Sequence, residues 1–130
     1  MKVLNRMEFV NSSSKLSKNS IGFLAFTDVG WKSTNHLIQL SFRGEVFDIG
    51  DYESRIYAFE PEPAYNFSLP AKMGKGSRFL VNFGTKIGSN WRFWFKVSKR
   101  FEIRNELKNN IIIAGYESQT EIKCQLAIGF

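Results

Sequence analysis

A two-residue alternation of apolar and polar side chains constrains this chain more than any other feature. In "NWRFWFKVSKRF" (Asn90 to Phe101), Trp91, Phe93, Phe95 and Val97 fall on one side and Arg92, Trp94, Lys96 and Ser98 on the other. A period of two puts successive side chains on opposite faces of a β-strand, and a helix cannot accommodate it. In "SRFLVNFGTKI" (Ser77 to Ile87), Phe79, Val81, Phe83, Thr85 and Ile87 oppose Arg78, Leu80, Asn82, Gly84 and Lys86. Ile38, Leu40, Phe42 and Val46 likewise oppose Gln39, Ser41, Arg43 and Glu45, and Ile21, Phe23, Ala25 and Val29 oppose Gly22, Leu24, Phe26 and Asp28. The final "TEIKCQLAIGF" sets Phe130, Ile128, Leu126, Cys124 and Ile122 against Gly129, Ala127, Gln125, Lys123 and Glu121.

The pattern predicts eight strands: Leu4 to Val10, Ser20 to Trp31, His36 to Phe47, Ser54 to Glu60, Ala64 to Leu69, Ser77 to Ile87, Asn90 to Phe101, and the terminal segment. The connections between them alternate long and short, with "KSTN", "PEP" and "GS" among the short ones. The nearly twenty residues ending in "AGYESQ" read as a long loop with a possible helical turn in "FEIRNELKNNIIIA". Short periplasmic turns and long surface loops are the asymmetry of an up-and-down transmembrane β-barrel. The expectation is therefore an all-β, antiparallel barrel of about eight strands over residues 1–130, either a single domain or the C-terminal part of a larger barrel.

Alternation alone also suits a soluble sandwich, whose strands show one face to a core and one to water. Three details favour lipid. The full-length strands run about ten residues, the length of a tilted membrane span. The apolar faces of the long strands carry no charge, where one basic residue at midplane would cost about 2–4 kcal/mol. Trp31, Trp91 and Phe130 stand next to the expected periplasmic turns, as an interfacial aromatic girdle requires. The expected lipid-facing set is Ile21, Phe23, Ile38, Leu40, Phe42, Phe79, Val81, Phe83, Trp91, Phe93, Phe95 and Val97. The expected lumen charges are Asp28, Arg43, Glu45, Arg78, Lys86, Arg92, Lys96, Glu121 and Lys123, given space by inward-pointing Gly22, Gly44, Gly84, Ala127 and Gly129.

The formal charge of +6 suits either nucleic acid or anionic lipid. A soluble antiparallel barrel or sandwich binding an anionic ligand such as nucleic acid is thus the alternative. A stacking platform for single strands needs aromatic and basic side chains on one exposed face. Here most of them alternate onto opposite faces, so nucleic acid is an unlikely partner. The sole cysteine, Cys124, allows no intramolecular disulfide, and the sole histidine, His36, makes no zinc-ligand cluster. No metal, cofactor or catalytic residue is expected. "MGKGSRF" (Met73 to Phe79) lacks the spacing and following helix of a phosphate loop and reads as a flexible surface turn. "DIGDYESR" reads as a solvated turn without calcium-loop spacing, and the prolines of "EPEP" as a tight periplasmic connection rather than Glu60 and Glu62 as a catalytic pair.

The runs "GFLAFTDVGWK", "SRIYAFEPEPAYNFSLPAKMGKGSRF", "NWRFWFKVSK" and "TEIKCQLAIGF" resemble the C-terminal barrel region of helix-hairpin-helix-containing outer-membrane proteins of Bacteroidota. The tightest part is Arg55 to Tyr57 followed by Pro70 and Gly74 to Arg78. The resemblance implies an outer-membrane location, contact with outer-membrane lipid, and insertion by the barrel-assembly machinery. It also implies that a terminal strand ending in an aromatic is the recognition signal, here Phe130 with Ile128 and Leu126 in step. Neither a signal peptide nor the family's upstream helix-hairpin-helix segment is read in the sequence, and the segment Asn105 to Tyr116 departs from the Gly-rich loop of the family.

Overall fold

A computed structural model of the chain describes residues 1–14, 17–50, 54–60, 62, 69–108 and 111–129. The strands are β1 (Lys2–Ser14), β2 (Ser17–Lys32), β3 (Ile38–Ile49), β4 (Ile56–Tyr57), β5 (Ala71–Lys72), β6 (Gly74–Ile87), β7 (Trp91–Lys108) and β8 (Ile111–Ile128). Six of them form one antiparallel up-and-down sheet in the order β1-β2-β3-β6-β7-β8, and β4 pairs only with β5. The architecture is all-β. Among the described residues the sheet is open, with β1 and β8 as its edges.

Several strand expectations are corrected. The expected fourth strand shrinks to Ile56–Tyr57, because Ser54 to Glu60 lies across the sheet rather than in it. The expected fifth strand, Ala64 to Leu69, falls outside the described residues except for Leu69, which is not in a strand. The expected long loop after Phe101 is instead the outer half of the β7/β8 hairpin, paired as far as Lys108 with Ile111. "MGKGSRF" is not a flexible turn, since Gly74 to Phe79 pair with β3 and Lys75 to Phe79 also pair with β7.

The β2–β3 and β6–β7 connections are tight and lie at one end of the sheet, the turn end. In the first, Ser33 both donates its backbone N–H to the Ile38 carbonyl at 2.9 Å and accepts the His36 N–H at 2.9 Å. This closes the turn with His36 at φ 57°, a left-handed conformation that a non-glycine residue adopts at some cost. At the opposite end, residues 50–73 form an insertion between β3 and β6, which are neighbours in the sheet.

That insertion defines two faces. Its residues Ser54 to Glu60, Glu62 and Lys72 lie on one, the covered face, and leave the other open. Gly22 of β2 permits its close approach, because a Cβ there would stand 2.5 Å from the Ser54 carbonyl oxygen. Beside this contact Leu24, Phe26, Phe47 and Ile49 of the sheet enclose Ile56 and Ala58 of the insertion in a small apolar core. Each large side chain so buried contributes about 1.5–3 kcal/mol. The chain then returns through Lys72 and enters β6 at Gly74, whose φ of 87° is open to glycine without strain.

Candidate functional site

The register fixes which side chains share a face, since residues directly opposite in a sheet point the same way. On the open face the rows across β3, β6, β7 and β8 read Ile38–Thr85–Phe93–Leu126, Leu40–Phe83–Phe95–Cys124 and Phe42–Val81–Val97–Ile122. Across β1 and β2 the same face carries Val3–Val29, Met7–Ala25 and Phe9–Phe23. These side chains are uncovered: Phe9 is 71% exposed, Phe79 47% and Ile122 63%. Every residue of the expected lipid-facing set lies on this face, and none of them is buried. Leu126 and Ile128 share it, while Phe130 lies outside the described residues.

The apolar belt on this face runs along β1 from Met1 to Phe9, β2 from Ile21 to Trp31 and β3 from Ile38 to Val46. It continues from Phe79 to Ile87 on β6, Trp91 to Val97 on β7 and Ile122 to Ile128 on β8. It does not cross the sheet at right angles to the strands. Its midpoint on β1 is Asn5, and the register carries Asn5 through Thr27, Gly44, Phe79 and Lys99 to Thr120 on β8. The midpoint on β8 is Gln125, five residues from Thr120, so over the five strand-to-strand steps the belt drifts on average about one residue per step. With about 3.3 Å per residue and about 4.8 Å between strands, that drift is a strand tilt of about 35°. Corrected for this tilt, the belt spans about 22–27 Å on β1, β2, β3 and β6 and about 16 Å on β7 and β8, against about 25 Å for the apolar band of a membrane barrel. Toward the insertion end the belt gives way to Asp48 and Lys75, paired at 2.7 Å, and to Lys99, whose ammonium lies 5.2 Å from the centre of the Phe101 ring.

The covered face has the opposite character. Below the small apolar core, Arg43 grips Asp28 through two hydrogen bonds of 2.5 and 2.6 Å and donates a third, of 2.7 Å, to the Phe59 carbonyl of the insertion. Its guanidinium lies 4.0 Å from the centre of the Phe26 ring. Glu60 of the insertion receives Lys72 at 2.5 Å, Lys96 at 3.3 Å and the Arg78 guanidinium. Lys72 also stands 3.0 Å from Glu45. Glu62 receives Lys96 at 2.5 Å and Lys123 at 3.3 Å, and Arg78 reaches Ser98 at 3.0 Å and Glu121 at 3.3 Å. Lys96 is fully buried, and Arg43 and Glu45 are each 3% exposed. Burial alone would raise the Glu60 carboxyl, but Lys72, Arg78 and Lys96 outweigh it and hold the group at about 2.

Toward the turn end the covered face becomes roomy. Gln39, Ser41, Asn82, Trp94 and Glu62 line part of a cavity of about 590 Å³ that opens near the β2–β3 turn.

Of the expected lumen charges, Asp28, Arg43, Glu45, Arg78, Lys96, Glu121 and Lys123 are brought together in this network. Lys86 and Arg92 share the covered face as a register pair, but at the turn end beyond the insertion, and both are exposed. Gly44 is corrected to the open face, where it leaves room for the Phe42 and Phe79 rings. The reading of "EPEP" as a tight turn is also corrected: Glu60 and Glu62 are buried counter-charges held by cations from β6, β7 and β8. Among the described residues no group of His, Cys, Asp and Glu is arranged to hold a metal. No family model matches the chain, and searches of curated proteins and of solved structures found no match either.

Proposed function

We propose that the chain forms the wall of an outer-membrane β-barrel, with the insertion 50–73 as an internal plug. The observation that carries this reading is the inverted polarity of the sheet. A water-soluble sheet buries its apolar face and exposes its charges, whereas here the belt is bare and Lys96, Arg43 and Glu45 are buried. An apolar surface continuous over six strands is far more than a water-soluble monomer ordinarily exposes. In hydrocarbon the same surface is the stable arrangement. The tilt of about 35° deduced from the belt falls within the 35–45° of membrane barrels and supports the reading.

The role proposed is architectural and non-enzymatic: the belt holds the wall in lipid, the plug fills the interior, and the β1/β2 and β7/β8 hairpins extend beyond the belt as a surface for interaction. The test is refolding of the purified chain from urea into detergent micelles, followed by comparison of boiled and unboiled samples on a gel. A heat-dependent mobility shift with strand-rich circular dichroism is the expected result. A folded monomer in plain buffer, with no shift in detergent, would overturn the proposal.

A further inference from the structure

We infer that two copies of this chain join edge to edge, β8 of each against β1 of the other, to close one twelve-stranded wall. The inference rests on the membrane reading above and adds the partner that reading requires. An open sheet cannot stand in hydrocarbon, because the unpaired N–H and C=O groups of β1 and β8 would have neither water nor a neighbouring strand.

Among the described residues every strand long enough to span is already in the sheet, and β4 and β5 are two residues each. Closing β1 onto β8 of the same copy is excluded by size. With strands about 4.8 Å apart and tilted about 35°, a ring of six has a backbone radius of only about 6 Å, which its own inward side chains fill. The covered face already carries Ser54 to Glu60, Glu62 and Lys72 of the insertion. A ring of twelve has a radius of about 11 Å by the same geometry and can enclose two insertions.

Direction and register also fit. Six strands in a meander leave β1 and β8 antiparallel, so β8 of one copy continues the up-and-down order into β1 of the next, and a two-fold axis along the barrel closes the ring. Continuing the belt's drift of one residue per step sets Gln125 opposite Arg6 of the second copy. Lys123 then faces Glu8 of the second copy inside, while Ile122, Cys124 and Ile128 meet Phe9, Met7 and Val3 of the second copy on the belt. The neighbouring face-preserving registers are poorer. One opposes Lys123 to Arg6 and Glu121 to Glu8, two like-charge pairs, and the other gives up the Lys123–Glu8 pair by setting Lys123 against Val10, whereas the register set by the drift keeps that pair and sets Glu121 against Val10.

The register predicts a specific cross-link. Opposite residues of an antiparallel pair have Cα atoms about 4.5–5.5 Å apart, within reach of a disulfide. Cys124 is exposed, so the single substitution Met7→Cys should give a disulfide-linked dimer when the chain is refolded in detergent and oxidised. Met7→Cys with Cys124→Ser, and Glu8→Cys on the opposite face, should give none. In a Cys124→Ser background, the pair Phe9→Cys and Ile122→Cys reports the same register should Met7→Cys fail to fold. A heat-modifiable species that stays monomeric, with no disulfide or only an intramolecular one, would overturn the dimer and leave the membrane reading standing. A chain that shows no heat shift and dissolves as a folded monomer in buffer would remove both.

Discussion

Replacing Glu60 by Gln should release the insertion from the sheet. Glu60 is the carboxylate on which Lys72, Lys96 and Arg78 converge, and its side chain is only 4% exposed. Removing one partner of a buried pair leaves the others uncompensated and costs about 3–5 kcal/mol. The pH dependence gives an independent figure. Glu60 is held at about 2 against an ordinary 4.5, which is on the order of 3 kcal/mol of stabilisation through linkage. Because the folded value is the lower one, this stabilisation is complete above about 4.5 and is lost as pH falls toward 2. The assay is limited proteolysis of the insertion in the detergent-folded protein, with trypsin at Arg55 and Lys72 at neutral pH and with pepsin at Ile56 to Phe59 between pH 2 and 4.5. The native chain should become sensitive as the pH drops, whereas E60Q should be sensitive already at neutral pH, with a shallower acid transition. Equal protection of both chains, with the same acid profile, would refute the idea that Glu60 anchors the plug.

Three other substitutions probe separate layers. Gly22→Val would drive a side chain into the Ser54 carbonyl at 2.5 Å, so proteolysis within the insertion should accelerate while the heat-dependent gel shift persists. Phe95→Lys, in the middle of the belt, should cost about 2–4 kcal/mol of membrane stability and reduce recovery of the folded band on refolding into vesicles. Phe47→Ala removes a side chain that is 3% exposed and lies under the Arg100 guanidinium, and should lower the urea midpoint by the equivalent of about 3–5 kcal/mol.

The strands and their faces were legible because a period of two survives in "SRFLVNFGTKI" and "NWRFWFKVSKRF" wherever one face is uniformly apolar. The outer half of the β7/β8 hairpin was not, because Ile111, Ile112 and Ile113 are consecutive and erase the alternation. Glu60 and Glu62 were misread for a different reason. Their cationic partners are 12 to 61 residues away in the chain, and "EPEP" has a turn-like composition. A signal did exist. Around the network the sheet's own covered face places Arg43, Arg78, Lys96 and Lys123 against Asp28, Glu45 and Glu121, one positive charge more than its carboxylates balance, which burial tolerates only with carboxylates from elsewhere.

The position of the insertion also dictates an order of assembly. β1-β2-β3 and β6-β7-β8 are each built from hairpins between chain neighbours, whereas the β3/β6 seam joins strands separated by the whole insertion. Such a seam pays the larger loop-closure entropy and forms after the local hairpins. Arg43 holds the insertion from the β3 side and Arg78 from the β6 side. The ion pairs that hold the insertion are therefore completed only when the seam closes, so formation of the seam and docking of the insertion are one coupled step.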